Sequence, residues 1–422
     1  MNGHIVFTLW RSLMPLRVRR LAQPVLGRVH ERRVASVLKD AHTRRRPGPL
    51  IVSGLFSEAK GISRAAQLTL TGLEAAGFNP IAHDLRPLLA GGARGGVESI
   101  FSQPGGVWLM HVNAPEAMRA LARLPPDFWK DRYRIGYWAY ELSRLPADWV
   151  RAAQAFDEIW VPSRFVADAM AASRVTTPVR IMPHPVALRV PAQASKRREG
   201  FTVLAMGDFA SSAERKNLAG AIAIYTQAFP DAAAGQRLII KTHSGALSPA
   251  AVRRLARLSE ARPDVTVVDR AMPHEDVLAM IASADVVISP HRSEGYGLVL
   301  AEALLMGVPV LATGWSGNMD FMADAPELLI DHALVPVVDP NGVYRLKGTH
   351  WAEPSIPDAI ARLRALHASP EPGARAVTRT QAVLRESLTA WSAEALANTA
   401  LAGLVLPPSA GHRPTDGAHP RD

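Results

Sequence analysis

Short apolar runs alternate along most of this chain with segments whose apolar residues recur every three to four positions. The first series opens on Leu50-Ile-Val-Ser-Gly54, which predicts a buried strand, followed by a helical period over residues 61–76 that Gly77 closes. Residues 106–112, 133–139 and 158–161 predict further strands, each with a helix behind it. A second series begins at Phe201-Thr-Val-Leu-Ala-Met206 and continues through strands at 237–242, 265–268, 285–289 and 308–313. Between the last two, residues 298–306 predict a helix ended by Gly307. Strand–helix alternation of this kind predicts α/β architecture with largely parallel sheets, in two successive units.

The joints between these series set the expected domains. Residues 1–48 form a basic extension, 49–186 a first Rossmann-like domain, 187–200 a connection rich in Arg, Lys, Ala and Pro, and 201–370 a second domain. Residues 371–406 read as a helical segment, and the Pro- and Gly-rich tail from 407 to 422 as disordered. The run Gly91-Gly-Ala-Arg-Gly-Gly96 reads as a flexible loop.

Composition narrows the classes. The chain has 422 residues, enough for two cores, with 48% hydrophobic and 20% charged residues, as in a globular protein. It has no Cys, so disulfides, thiolate metal sites and a thiol nucleophile are absent, which is compatible with a reducing cytoplasm. No apolar run reaches the roughly 20 residues that span a bilayer. The net charge is +10, and residues 1–48 hold eleven basic residues against Glu31 and Asp40, hence nine of the ten net charges. Apolar residues interleave with these arginines, so the extension is a candidate for an anionic membrane surface, with a solvated, partly helical extension as the alternative. The rest of the chain is nearly neutral, which disfavours a nucleic-acid partner.

The densest chemistry lies in Arg292-Ser-Glu-Gly-Tyr-Gly-Leu-Val-Leu-Ala-Glu302, between a strand and a helix. Gly295 and Gly297 at the helix mouth expose backbone N–H groups at the positive helix end, which suits a diphosphate. Glu294 and Glu302 put two carboxylates beside that point, one for a sugar hydroxyl and one for a ribose. This arrangement resembles the signature of glycosyltransferase family 4, with a GT-B fold and retention of anomeric configuration. The resemblance implies two facing domains with a cleft between them, the terminal helical segment packed back on the first. It also implies that Glu294 meets the donor sugar and Glu302 the ribose, with Tyr296 and Leu298 beside them.

Further segments extend the resemblance. Arg215-Lys216-Asn217 precedes an apolar helix, and two fixed cations there would stabilise a departing diphosphate. Asn217 is a candidate cap and donor contact. Many relatives place an Arg directly after the glycine where this chain has Asp208, which leaves Arg215 as the substitute. Gly61 and Ser63 resemble the family's glycine loop over the donor phosphate. The series Tyr137-Trp-Ala-Tyr-Glu-Leu142 and Asp157-Glu-Ile-Trp-Val-Pro-Ser163 looks like a branch that builds bacterial surface polysaccharides. Where relatives carry a His facing the sugar, Tyr140 and Glu141 stand here, and Glu141 is the candidate for that contact. His111 and Asn113 follow a strand end and are candidate sugar or acceptor contacts. His184 and His291 read as hydrogen-bonded loop histidines. Gly314-Trp-Ser-Gly-Asn-Met-Asp320 reads as shaping the nucleotide pocket without reacting.

No Asp-x-Asp, His-Glu-x-x-His, Walker loop or Gly-x-Ser-x-Gly elbow occurs. The resemblance therefore implies transfer without a bound metal or cofactor, a nucleotide sugar as donor, and a glycan or lipid-linked acceptor. The branch adds a hexose, with mannose as candidate. The rival readings are a non-catalytic GT-B binding or scaffold protein, and an epimerase that needs no acceptor.

Overall fold

The computed structural model describes residues 16–39, 45–56, 61–90, 97–187, 200–231, 235–344 and 346–406. Its first lobe is built on β1 (Leu50–Gly54), β2 (Ile81–Asp84), β3 (Val107–Met110), β4 (Tyr133–Tyr137), β5 (Glu158–Val161) and β6 (Val179–Ile181). All pair in parallel, in the order β2-β1-β3-β4-β5-β6. Side chains alternate across this sheet, so Ile51, Trp108 and Met110 enter one core while Leu50, Val52, Val107 and Leu109 enter the other. Burial on both faces explains why the central strands read as continuous apolar runs. The edge strands β2 and β6 are more exposed than the central ones, and the apolar pattern does not mark them.

The second lobe has β7 (Phe201–Asp208), β8 (Gln236–His243), β9 (Val265–Asp269), β10 (Val286–Ser289), β11 (Val310–Thr313) and β12 (Leu329–Ile330). These are also parallel, in the order β12-β11-β10-β7-β8-β9. An antiparallel hairpin follows, β13 (His332–Pro336) with β14 (His350–Pro354), which the sequence pattern did not predict. In each sheet the winding direction reverses once, between β1 and β3 and between β7 and β10. At such a reversal the loops leaving two adjacent strands diverge to opposite faces and open a crevice at their carboxyl ends.

Two domain expectations need correction. The extension is not free over its described length: its Leu16–Lys39 helix lies on the first lobe, with Val34 buried and Val37 and Leu38 packed in the same core. Arg151 pairs with Glu31 at 2.8 Å, and Arg45 pairs with Asp157. Residues 1–15 and 40–44 of that extension lie outside the described residues, as do most of the 187–200 connection, the 91–96 loop and the 407–422 tail. The return of the C-terminal segment also begins later than expected. The Pro370–Ser387 helix buries Ala376, Val377 and Leu384 in the second lobe's core. Only beyond it do Trp391, Leu396 and Leu401 enter the first lobe's core, with the Trp391 indole N–H on the Pro183 carbonyl at 2.6 Å. Among the described residues no helix is long and apolar enough to cross a membrane.

Candidate active site

Both reversal points face one another, and the loops after β1, β3, β7 and β10 line a single cavity of about 2220 Å³ between the lobes. That exceeds the roughly 300–1,000 Å³ of a pocket for one small ligand and leaves room for two substrates.

The loop after β7 carries the two cations. Arg215 and Lys216 sit in a four-residue helical turn, Ala213–Lys216, flanked by two non-glycine residues with positive φ, Ser212 (+84°) and Asn217 (+50°). Such conformations cost on the order of 1–3 kcal/mol each and persist only when surroundings fix them. Here the fixing groups are visible. Ser212 Oγ accepts the Arg215 N–H at 3.3 Å, and Asn217 Oδ1 accepts from Gly220 N–H at 3.2 Å while its Nδ2 donates to the Pro290 carbonyl at 2.9 Å. Each end of the Asn217 amide thus makes one hydrogen bond, capping the Leu218–Ala228 helix and tying it to the β10 loop, and Asn217 is not among the residues that line the cavity. This corrects the expectation of a donor contact through its side chain. Asn217→Ala is expected to lower unfolding stability by about 2 kcal/mol, because a cap is lost and a Cβ residue without a polar side chain must hold the left-handed position. Denaturant unfolding checks this, and an unchanged midpoint would contradict it.

The loop after β10 supplies the acid. Lys216 Nζ lies 2.5 Å from Glu294 Oε1, and Arg215 Nη1 lies 3.1 Å from Glu294 Oε2. Burial alone would raise the Glu294 pKa, but Lys216, Arg215 and His291 outweigh it and hold the carboxyl at about 2. Glu294 is thus ionised at neutral pH. The Arg215 guanidinium is itself buried, donates to the Ser293 carbonyl at 2.7 Å, and has Glu141 Oε1 3.8 Å away on the first lobe. Burial pulls its pKa down, and the carboxylates of Glu294 and Glu141 oppose that and raise it. The Glu294 turn is clamped from behind by the loop after β11: Glu294 N–H donates to Ser316 Oγ at 2.7 Å and Gly317 N–H to the Glu294 carbonyl at 2.9 Å. A Cβ on Gly317 would stand 2.3 Å from the Gly295 carbonyl oxygen, so only glycine permits this approach.

Gly295, Tyr296, Gly297 and Leu298 all line the cavity at the mouth of the Leu298–Leu305 helix, where Gly297 takes φ +93°. Glu302, in the same helix, is buried and faces two groups from either side of the cleft. His274 Nε2 lies 3.2 Å and Arg64 Nε 3.5 Å from its Oε1, the arginine coming from the first lobe.

The first lobe's candidates divide. Gly61 lines the cavity at the start of the Gly61–Ala75 helix, but Ser63 is fully buried and turned into the lobe; the residue facing the cleft is its neighbour Arg64. The donor-contact expectation for Ser63 is corrected accordingly. His111 keeps only an edge on the cavity, since it is 1% exposed, has Thr69 Oγ1 3.0 Å from its Nδ1 and stacks on Tyr137. Burial and the nearby His184 hold it neutral, well below the ordinary histidine range, so its place is chiefly in packing. Asn113 Oδ1 accepts the Ala139 N–H at 3.0 Å and braces the strand end before Glu141. Tyr140 packs against Trp149 and Tyr344. His184 and His291 are buried and hydrogen-bonded. Asp208 accepts the Ala210 N–H at 2.8 Å and faces His243 at 3.4 Å.

Three site groups escaped sequence reading: Arg64, His274 and Tyr344. Arg64 carried a weak signal, one residue beyond the glycine loop in a helix's first turn. Tyr344, whose hydroxyl donates to Glu141 Oε2 at 2.8 Å, carried none. The lobes also meet where Ser163 Oγ donates to the Gly295 carbonyl at 2.6 Å and Arg164 N–H to Asp320 at 2.8 Å. Among the described residues no three His, Asp or Glu side chains cluster as a metal site would.

Two parallel α/β lobes meeting at their strand ends across such a cleft define the GT-B fold, and solved structures agree. The Thermosynechococcus elongatus sucrose-phosphate synthase superposes with a TM-score of 0.59 at 14% identity, over 84% of this chain and 96% of that one. The Anabaena HepE complex with UDP and glucose gives 0.56 at 13% identity, over 83% and 99%. Staphylococcus aureus TarM, solved with fondaparinux, α-GlcNAc-glycerol and UDP, gives 0.50 at 12% identity over 69% of this chain, which spans 55% of the TarM chain. Residues 163–395, more than half of the sequence, match the family described as Family 4 Glycosyltransferase in conflict systems, and the chain belongs to it. No curated protein sequence matches.

Proposed function

We propose that this protein transfers a sugar from a nucleoside diphosphate sugar to a hydroxyl of a glycan or lipid-linked acceptor. The observation that carries the reading is the convergence of Lys216 and Arg215 on Glu294, each within 3.1 Å of its carboxylate, at the second lobe's reversal point. There the Leu298–Leu305 helix mouth faces the same cavity. Breaking the anomeric bond leaves charge on the β-phosphate, and two preorganised cations stabilise it. Glu294 orients a sugar hydroxyl, and Glu302 takes the ribose hydroxyls in place of Arg64. UDP in the HepE and TarM complexes supports a nucleotide donor here.

Retention of configuration follows if the acceptor attacks the face from which the diphosphate leaves, with the leaving phosphate taking the acceptor's proton. In this reading the protein's own cations neutralise the leaving group, and no resident metal is assigned. A hexose donor, mannose among the candidates, and an acceptor in surface polysaccharide are proposals from the branch resemblance. So is contact of the arginine-rich N-terminal segment with an anionic membrane surface. The scaffold alternative draws on two departures from the family, no arginine at Asp208 and no histidine near Glu141, while the contact of Arg215 with Glu294 supports the transferase.

The test is donor consumption that depends on an acceptor, combined with Glu302→Ala. That variant is expected to weaken donor binding at least tenfold, about 1.4 kcal/mol. Unchanged donor affinity in Glu302→Ala would contradict the ribose assignment, and tight binding without turnover would favour the scaffold.

A further inference from the structure

We propose that Tyr344 is a positioning residue for the transfer: it reaches from the second lobe to fix the Glu141 carboxylate of the first, so that the sugar end of the cleft is complete only where the lobes meet. This rests on the transferase reading above.

Tyr344 lies between β13 and β14, in a loop held by one carboxylate. Asp339 accepts the N–H groups of Asn341, Val343 and Tyr344 at 3.3, 2.7 and 3.0 Å, with Gly342 (φ +64°) making the turn. Ser212 Oγ donates to Asp339 at 3.2 Å, so the same anchor ties this loop to the strained turn that aims Arg215 and Lys216. The hairpin is fastened at its other strand by Arg292, whose guanidinium holds Glu353 at 2.5 and 2.9 Å. From this base Tyr344 and Trp351 enter the first lobe's core, where Tyr344 sits 6.1 Å from the Tyr140 ring.

The consequence lies at Glu141. The Tyr344 phenol is buried, and burial with the adjacent Glu141 keeps it protonated against the pull of Arg215. It is therefore a donor, and it takes Oε2 of Glu141 at 2.8 Å. Its ring lies 6.0 Å from the Arg215 guanidinium, within cation–π range. Glu141 thus takes the phenol's hydrogen bond at Oε2 and has the Arg215 guanidinium 3.8 Å from Oε1, in a cavity shared with Glu294. A carboxylate left to rotate would find the guanidinium it shares with Glu294 in more than one way; the phenol selects one. A side chain from the opposite lobe does this, which links lobe contact to sugar orientation.

The experiment is a cycle of Tyr344→Phe, Glu141→Gln and the double variant, with kcat and donor Kd measured separately on a nucleotide sugar that the wild type consumes. Phenylalanine keeps the ring and its place in the core, so the fold is expected to stay intact. We expect kcat to fall about tenfold in Tyr344→Phe while donor Kd changes less than about twofold. The double variant should be no slower than Glu141→Gln alone, because Tyr344 acts through Glu141. Wild-type kcat in Tyr344→Phe, or losses that multiply in the double variant, would overturn the inference and leave the transferase reading standing. A wild type that consumes no nucleotide sugar would overturn both.

Discussion

Replacing Lys216 by alanine is expected to lower kcat/KM by about 10²–10³, the loss typical when one preorganised charge-stabilising group is removed from a transition state. The expectation follows from where the ammonium is held. Its stem lies against Gly207 at the end of β7, where an added Cβ would stand 3.0 Å from Lys216 Cβ, and its head lies on Glu294. With 20% of its side chain exposed it borders the cavity, so a diphosphate can reach it without unpacking the lobe. Folding should be little affected, because Arg215 still neutralises Glu294. A kinetic comparison at matched acceptor concentration decides the matter, and a loss below threefold would remove Lys216 from the leaving-group role.

Arg215 behaves differently. It is 2% exposed, faces Glu294 and Glu141, and donates to backbone carbonyls of Ser211 and Ser293 at 3.2 and 2.7 Å. Arg215→Leu would strand Glu294 beside one cation instead of two and leave those carbonyls without their donor. Breaking a buried pair from one side costs roughly 3–5 kcal/mol. For a chain of this length that corresponds to a midpoint about 3–6 °C lower. Activity should fall with it, since the turn that aims Lys216 loses its tether. Adding Glu294→Gln to Arg215→Leu should restore part of the stability and none of the activity. Thermal unfolding and turnover of the two variants measure this; a stable, active Arg215→Leu would contradict the arrangement.

The two effects rest on residues that the sequence exposed, and the reason is local. Glu294, Gly295 and Gly297 stand within four positions between a strand and a helix, and Arg215 with Lys216 directly precedes another helix. Their meeting follows from the adjacency of β7 and β10, which α/β winding makes common. The central strands were legible because burial on both faces demands unbroken apolar runs. Edge strands such as Val179–Ile181, with one side exposed, carry no such demand.

Groups whose partners lie far away in sequence were not legible. Tyr344 meets Glu141 across 203 positions, and Arg64 meets Glu302 across 238. Nothing local in a tyrosine after Asp339-Pro-Asn-Gly-Val343 announces a cleft residue. Ser63 failed for a related reason: in a helix's first turn, adjacent residues point about 100° apart, so Ser63 turns inward where Arg64 turns to the cavity. Asn217 stands in sequence where both a cap and a ligand contact fit, and the structure gives it the cap and places it off the cavity lining.

In the proposed transferase the cleft holds a nucleoside diphosphate sugar on Lys216, Arg215, Glu294 and Glu302. The most direct test is thermal unfolding with a panel of UDP-, GDP- and ADP-sugars, on the wild type and on Lys216→Ala and Glu302→Ala. A ligand at 100 times its Kd adds about 2.7 kcal/mol, or about 3 °C here. We expect at least one donor class to give that rise in the wild type and little in either variant. No rise with any nucleotide sugar, or an equal rise in all three proteins, would contradict the account.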